Sequence, residues 1–236
     1  MTRVTKGIFI AVAALISVGL GSFGWNIYGN YRAIREGRIP PSLERRLQAS
    51  FTRVVANARV TDADLKLLAS SSAPTFGTPD AKLTIVEFID FDCPFCRATF
   101  VPFRALMEKY KDHLFVVMRD FPIEEIHPRA FPAALAARCA QEQGAYWSYH
   151  DKLYVAQERH EDEDFYRSAR EMGLNETRFT ACYQNKKYAA HVQQDLQDGL
   201  QVGVQGTPTF FFNGIKMQGA LDQQTLEFLI QQFLKR

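Results

Sequence analysis

The sequence predicts an α/β domain with a helical block inserted into a small sheet, preceded by one N-terminal transmembrane helix and a partly helical linker. Three observations carry this expectation. Two β-branched apolar runs flank a helix-like segment and so form a βαβ unit. The stretch from His127 to Val202 shows only helical periodicity. An Asn-Gly hairpin then leads into an amphipathic C-terminal helix. The expected divisions are 1–28 for a short tail and membrane anchor, 29–73 for a linker or stalk, and 74–236 for the domain, with its helical insertion at about 123–203.

The first element is Gly7 to Tyr31, 25 residues without a formal charge, bounded by Arg3 and Lys6 before and Arg32 after. At about 1.5 Å per residue such a helix exceeds the roughly 30 Å hydrocarbon core, and Trp25, Tyr28 and Tyr31 fall where interfacial aromatics sit. A cleaved signal peptide is the alternative. The basic start and the small residues in Ser17-Val18-Gly19-Leu20-Gly21-Ser22 favour cleavage; the missing A-x-A site and the long apolar run oppose it. Either way the remainder is exported, although the charge count of Arg32, Arg35, Arg38, Arg45 and Arg46 would by itself hold the domain in the cytoplasm. Residues 30–72 carry Pro40-Pro41, scattered Arg and amphipathic stretches at Leu43 to Val60 and Asp62 to Leu68. They read as a spacer or as a self-association stalk.

Within the domain, Leu83 to Ile89 and Leu114 to Met118 read as buried strands. Between them Pro94 to Lys111 reads as a helix, with Pro94 suited to the first helical position and Pro102 expected to kink the interior. Helices follow around Ala133 to Ala140 and at Tyr146 to Gln157, Asp164 to Met172, Thr177 to Asn185 and Tyr188 to Gln201, punctuated by Gly144, Gly173 and Gly203. Thr209 to Phe212, Asn213-Gly214 and Ile215 to Gln218 form the hairpin, and Asp222 caps a last helix with Leu226, Leu229, Ile230, Phe233 and Leu234 on one face.

Composition narrows the function. Lys+Arg 28 against Asp+Glu 26 leaves a net charge of +2, so no general field for nucleic acid exists. With 47% hydrophobic residues the chain can bury a sizeable core, and four cysteines are too few for a disulfide-stapled miniprotein.

The chemistry lies in Cys93-Pro94-Phe95-Cys96. A C-x-x-C at a strand-to-helix turn reads as a thiol redox pair. Zinc would want a second close ligand pair, but Cys139 and Cys182 lie far apart in helical sequence and the five His show no ligand spacing, so no metal or other cofactor is expected. With Cys93 at the N-cap, its sulfur meets unpaired backbone N–H groups and the positive end of the helix dipole, which favour a thiolate. Cys93 is therefore the attacking, substrate-facing sulfur and Cys96, one turn on, the resolving one. Stabilising the reduced form in this way makes the disulfide a good oxidant.

Glu87 interrupts an apolar strand six residues before Cys93. It either turns to solvent at a strand edge or serves as a buried proton acceptor beneath the pair, relaying the proton of Cys96 as the mixed disulfide resolves. Asp90 and Asp92 read as exposed loop and cap carboxylates. Gly206-Thr207-Pro208 precedes the hairpin, where a Pro opening a strand is tolerated and a cis X-Pro bond is possible. Cys139 and Cys182 read either as two buried thiols or as a structural disulfide.

Taken together, IVEFIDFDCPFC (85–96), the helical block and GTPTFFFNG (206–214) resemble the thioredoxin-like DsbA family of exported thiol:disulfide oxidoreductases, over roughly Pro79 to Arg236. The resemblance implies a thioredoxin-like fold, Cys93 as nucleophile, Cys96 as resolving cysteine and Pro208 as a cis-proline facing the pair. It implies that Thr207 shapes a groove for extended substrate chains. Glu87 matches the family's buried acid position. A membrane quinone-linked partner that reoxidises the pair is also implied by the resemblance. Phe95 departs from the His of strongly oxidising members. The expected protein is a periplasmic or extracytoplasmic oxidase, membrane-anchored or secreted after cleavage, acting on unfolded or reduced proteins. Its rivals are an isomerase or reductase kept reduced by a partner, and a tethered chaperone using Phe91, Phe95 and Phe100.

Overall fold

In a computed structural model the described residues are 72–235, with Trp25, Tyr28, Gly29, Arg32, Val60, Thr61, Asp64, Leu67 and Leu68. No helix among the described residues is long and apolar enough to cross a membrane. The expected span 7–31 and most of the stalk lie outside them.

The elements run β1 (Thr75–Gly77), β2 (Leu83–Ile89), α1 (Pro94–Lys109), β3 (Leu114–Asp120), α2 (Ala130–Gln141), α3 (Tyr146–Val155), α4 (Asp162–Glu171), α5 (Glu176–Gln184), α6 (Ala189–Gln201), β4 (Thr209–Phe212), β5 (Ile215–Gln218) and α7 (Gln223–Lys235). The thioredoxin-like α/β order expected from the sequence is therefore present. The short strand β1 was not expected; three residues with an exposed–intermediate–exposed pattern leave no periodicity to read. Pro102 sits inside α1 without ending it.

The sheet order is β1-β3-β2-β4-β5. β2 and β3 are parallel, as a βαβ crossover requires, and every other neighbouring pair is antiparallel. The central pair is buried on both faces because helices cover both. On one side Phe103 of α1 packs edge-on against Phe210, 5.4 Å between centroids, and Phe233 of α7 stacks on Phe212 at 5.7 Å. On the other, Phe88 meets Phe121 and Phe211, and α6 closes over them at Gly199. The β4–β5 turn has positive φ at both Asn213 (47°) and Gly214 (81°), the primed geometry that Asn-Gly favours. Asp222 caps α7 by accepting from Thr225 N at 2.8 Å.

Two buried arginines fasten the end of the expected linker to this domain. Arg119 donates to Asp195 (2.6 Å), Asp198 (2.5 Å) and the Leu67 carbonyl (2.6 Å). Arg138 donates to Asp120 (2.6 Å), Asp195 (2.5 Å) and the Ser72 carbonyl (3.0 Å). Leu68 is buried among Val86, Phe88 and Val202. The linker that reads as spacer by composition is thus, at Leu67, Leu68 and Ser72, part of the folded unit, because buried guanidiniums need carbonyl and carboxylate partners. Cys139 of α2 and Cys182 of α5 are joined in a disulfide, which decides between the two readings of that pair.

Candidate active site

The strand β2 ends at Ile89, and the chain turns within four residues into α1. Cys93 is the N-cap, with extended backbone (φ −71°, ψ 121°), and Pro94 occupies the first turn. The Cys93 carbonyl accepts the first helical bond from Arg97 N at 3.1 Å. The placement is local chemistry: Pro has no N–H to lose at that position and its φ is already helical.

The Thr207–Pro208 bond is cis. It brings the Thr207 carbonyl to 3.3 Å from Cys93 Sγ, which donates to it as a thiol, across 114 residues of sequence. Gly206 braces the same loop, its carbonyl accepting from Thr209 Oγ1 at 2.6 Å, while Pro208 O accepts from Gly219 N at 2.8 Å. The Thr207 hydroxyl is buried without a hydrogen-bond partner. Cys93, Cys96, Gly206, Thr207 and Pro208 are therefore assembled in one place.

The two sulfurs are electrostatically unequal. The Cys93 thiol is lowered to about 6, chiefly because the Cys96 thiol donates to it, with further help from the Cys96 and Phe95 amides, and against the cost of burial. Cys96 is raised well above its ordinary value by burial and by its neighbour Cys93. One sulfur is poised as thiolate and the other as thiol.

Glu87 lies in the central strand, 4% exposed, so the solvent-edge alternative does not hold. It pairs across the sheet with Phe210, whose ring meets Phe103 of α1, which places the carboxyl on the face beneath that helix. Burial pushes its carboxyl up to about 8, and a charge on it raises the Cys96 thiol.

Asp90 and Asp92 are corrections. Asp90 is 1% exposed and accepts from Asp92 N, Ile123 N and His127 Nδ1 at 2.8, 2.9 and 2.9 Å. Asp92 is half-buried and bonded to His160 and to Arg129 N. A charge at the end of a central strand is kept inside when the opposing loops supply donors, and those loops are remote in sequence. Phe91 is also buried rather than groove-lining: it packs on Tyr154 at 5.2 Å and on His150 at 5.6 Å. Phe95, in contrast, is 62% exposed.

Sequence reasoning missed one group of residues. Gln157 Nε2 donates to the carbonyls of Phe91 (2.8 Å) and Cys93 (2.9 Å), and Tyr154 OH reaches the Asp90 carbonyl at 3.4 Å. With His160 on Asp92, one segment at the end of α3 holds the whole 90–93 turn. No spacing motif links positions more than sixty apart, so nothing in the sequence marks them. Among the described residues no cluster suits a metal ion.

The family described as Thioredoxin matches residues 70–232. A thioredoxin-like oxidoreductase from Silicibacter pomeroyi DSS-3 superposes with a TM-score of 0.65 at 26% identity, covering 75% of this chain and 99% of the other. The thiol-disulfide exchange protein alpha-DsbA2 from Wolbachia pipientis superposes with a TM-score of 0.65 at 19% identity over 72% and 91%, a likeness of fold. By sequence, the Na(+)/H(+) antiporter NhaA 1 of Mycolicibacterium gilvum is 36% identical over 152 residues, 64% of this chain and 25% of that protein. The chain spans about a quarter of the length of such curated relatives.

Proposed function

The chain belongs to the thioredoxin family, and from that premise we propose that it is an exported thiol:disulfide oxidoreductase that donates disulfides to unfolded or reduced proteins through Cys93 and Cys96. One arrangement carries the reading: Cys93 caps the start of α1 within 3.3 Å of the carbonyl of the cis Thr207–Pro208 bond, where its thiol is lowered to about 6 while burial pushes Cys96 up. In the oxidised form a client thiolate attacks Cys93 Sγ, the Cys93–Cys96 bond breaks, and Cys96 leaves with the electron pair. Glu87, protonated at neutral pH by virtue of its burial, gives its proton to the departing Cys96. A second client thiolate then attacks the client sulfur of the mixed disulfide and expels Cys93 as a stable thiolate. The client is oxidised by two electrons and the pair is left as a dithiol, for a redox partner to reoxidise.

The low pKa of Cys93 favours this direction, because whatever stabilises the thiolate stabilises the reduced protein and makes its disulfide the stronger oxidant. The extracytoplasmic location rests on the same chemistry, since a dithiol oxidant has little use among reduced thiols, and it agrees with the Cys139–Cys182 bond. The anchor at 7–31 and a membrane redox partner complete the proposal, with the linker up to Leu67 as a stalk between anchor and domain.

Equilibration of the pair against glutathione tests the direction. A potential well above the roughly −270 mV of thioredoxin supports the oxidase, and a value at or below it makes the protein a reductase instead. Thiol trapping in cells separates the isomerase, whose pair is kept reduced. Client folding that survives Cys93→Ser would make the protein a chaperone.

A further inference from the structure

On the sheet face opposite α1, next to the cis-proline loop, lies a groove of about 270 Å³ that the exchange chemistry leaves unused. Its floor is the buried Phe121, one wall is Ile123 with its loop, and the other is Leu196, Leu200 and the buried Val204. Leu200 of α6 is 59% exposed, and Ile126, on the same loop as Ile123, is 67% exposed. Large apolar side chains clustered in the open beside a reactive centre mark a contact surface more often than isolated ones do.

Both walls end at the candidate active site. Ile123 N donates to Asp90 Oδ2 at 2.9 Å, and the Asp90 carbonyl accepts from Cys93 N at 3.2 Å. The other wall, Val204 and Gln205, continues directly into Gly206-Thr207-Pro208. A polypeptide that meets Cys93 and lies along Thr207 therefore has this groove as its next surface on that side.

The rim fixes the sign of the occupant. Glu124 and Glu125 line the groove, both exposed, and among the described residues neither carboxylate has a basic partner. Lys216 sits by the opposite wall, where its amine is donated to the Gly203 carbonyl at 2.9 Å. We propose that the groove receives an extended segment of an unfolded client in which apolar side chains stand beside a lysine or arginine near the reacting cysteine. The inference rests on the exchange reading and adds the class of client sequence preferred.

Carbon-13 labelling of the Ile, Leu and Val methyl groups gives a test that needs no chemistry at Cys93. The protein is titrated with two peptides that carry serine in place of the client cysteine and the same Leu-Val flank, one with Arg and Lys beside it, the other with Glu at those positions. The basic peptide is expected to shift the methyls of Ile123, Leu196, Leu200 and Val204 and to bind about fivefold more tightly, the scale of two exposed ion pairs. Raised salt should shrink that preference, and the E124K/E125K double variant should reverse it. Equal affinities, shifts confined to other methyls, an unchanged preference in the variant, or shifts that grow with protein concentration alone, the mark of a second copy, would each overturn the proposal. Oxidation of dithiothreitol by the wild-type disulfide is measured separately. A protein that binds the basic peptide but does not oxidise the dithiol loses the exchange reading; one that oxidises it without the preference loses only the groove.

Discussion

Replacing Glu87 by Gln isolates what burying one carboxyl does to the whole domain. Folding lifts this group from 4.5 to about 8, by desolvation. A carboxyl with a raised folded pKa binds more protons folded than unfolded, so stability falls as pH rises from 4.5 through about 8 and is level above that. The full window of about 3.5 units, at about 1.4 kcal/mol each, amounts to about 5 kcal/mol, of which about 3 has been lost by pH 7. Gln has the same shape and no charge to desolvate. The difference in unfolding free energy between Glu87→Gln and wild type, measured by urea titration of the reduced proteins across pH 4.5 to 8, is expected to grow with pH in favour of the variant. Taking the difference cancels the other buried acids, including Asp120, which burial raises to about 6. The same variant should slow reduction of the Cys93–Cys96 disulfide at neutral pH, since the departing Cys96 loses its proton donor. A pH-independent difference would show that Glu87 is not desolvated, and the proton role would fall with it.

Three further changes test other parts of the reasoning. Cys96→Ala removes the strongest stabiliser of the Cys93 thiolate, a charge-assisted hydrogen bond of about 1.5–3 kcal/mol, and should move the Cys93 titration upward from about 6 by about one to two units. Ultraviolet thiolate absorbance against pH reads this directly; an unmoved midpoint would mean that the backbone amides suffice. Exchanging both Cys139 and Cys182 for Ser opens a cross-link spanning 43 residues, and chemical denaturation should then report a loss of about 4 kcal/mol with the Cys93–Cys96 potential unchanged. Gly199→Ala would place a Cβ 2.7 Å from Phe121 Cδ2 and 2.9 Å from Phe88 Cε1, and thermal unfolding should show a loss of about 1–3 kcal/mol. A variant as stable as wild type would mean that α6 shifts freely over the sheet.

Local pattern determined much of this protein. The βαβ unit, the helical block, the Asn-Gly hairpin and the placement of Cys93 at a helix start are all set by spacings of a few residues, because strand and helix periods, a proline at the first helical position and a primed turn each act over less than about a dozen residues. Tertiary structure decided the burial of Glu87, because an acid in an apolar strand is edge or core according to which strands pair on either side, and here β3 and β4 both do. It decided Asp90 and Asp92 as well, whose partners Ile123, His127, Arg129 and His160 come from segments that only the folded helical block brings back to the turn. The contact between Cys93 and Thr207 belongs to both levels. The sequence supplies a cysteine ready to ionise and a proline at a strand start, and the antiparallel pairing of β4 with β2 sets them 3.3 Å apart.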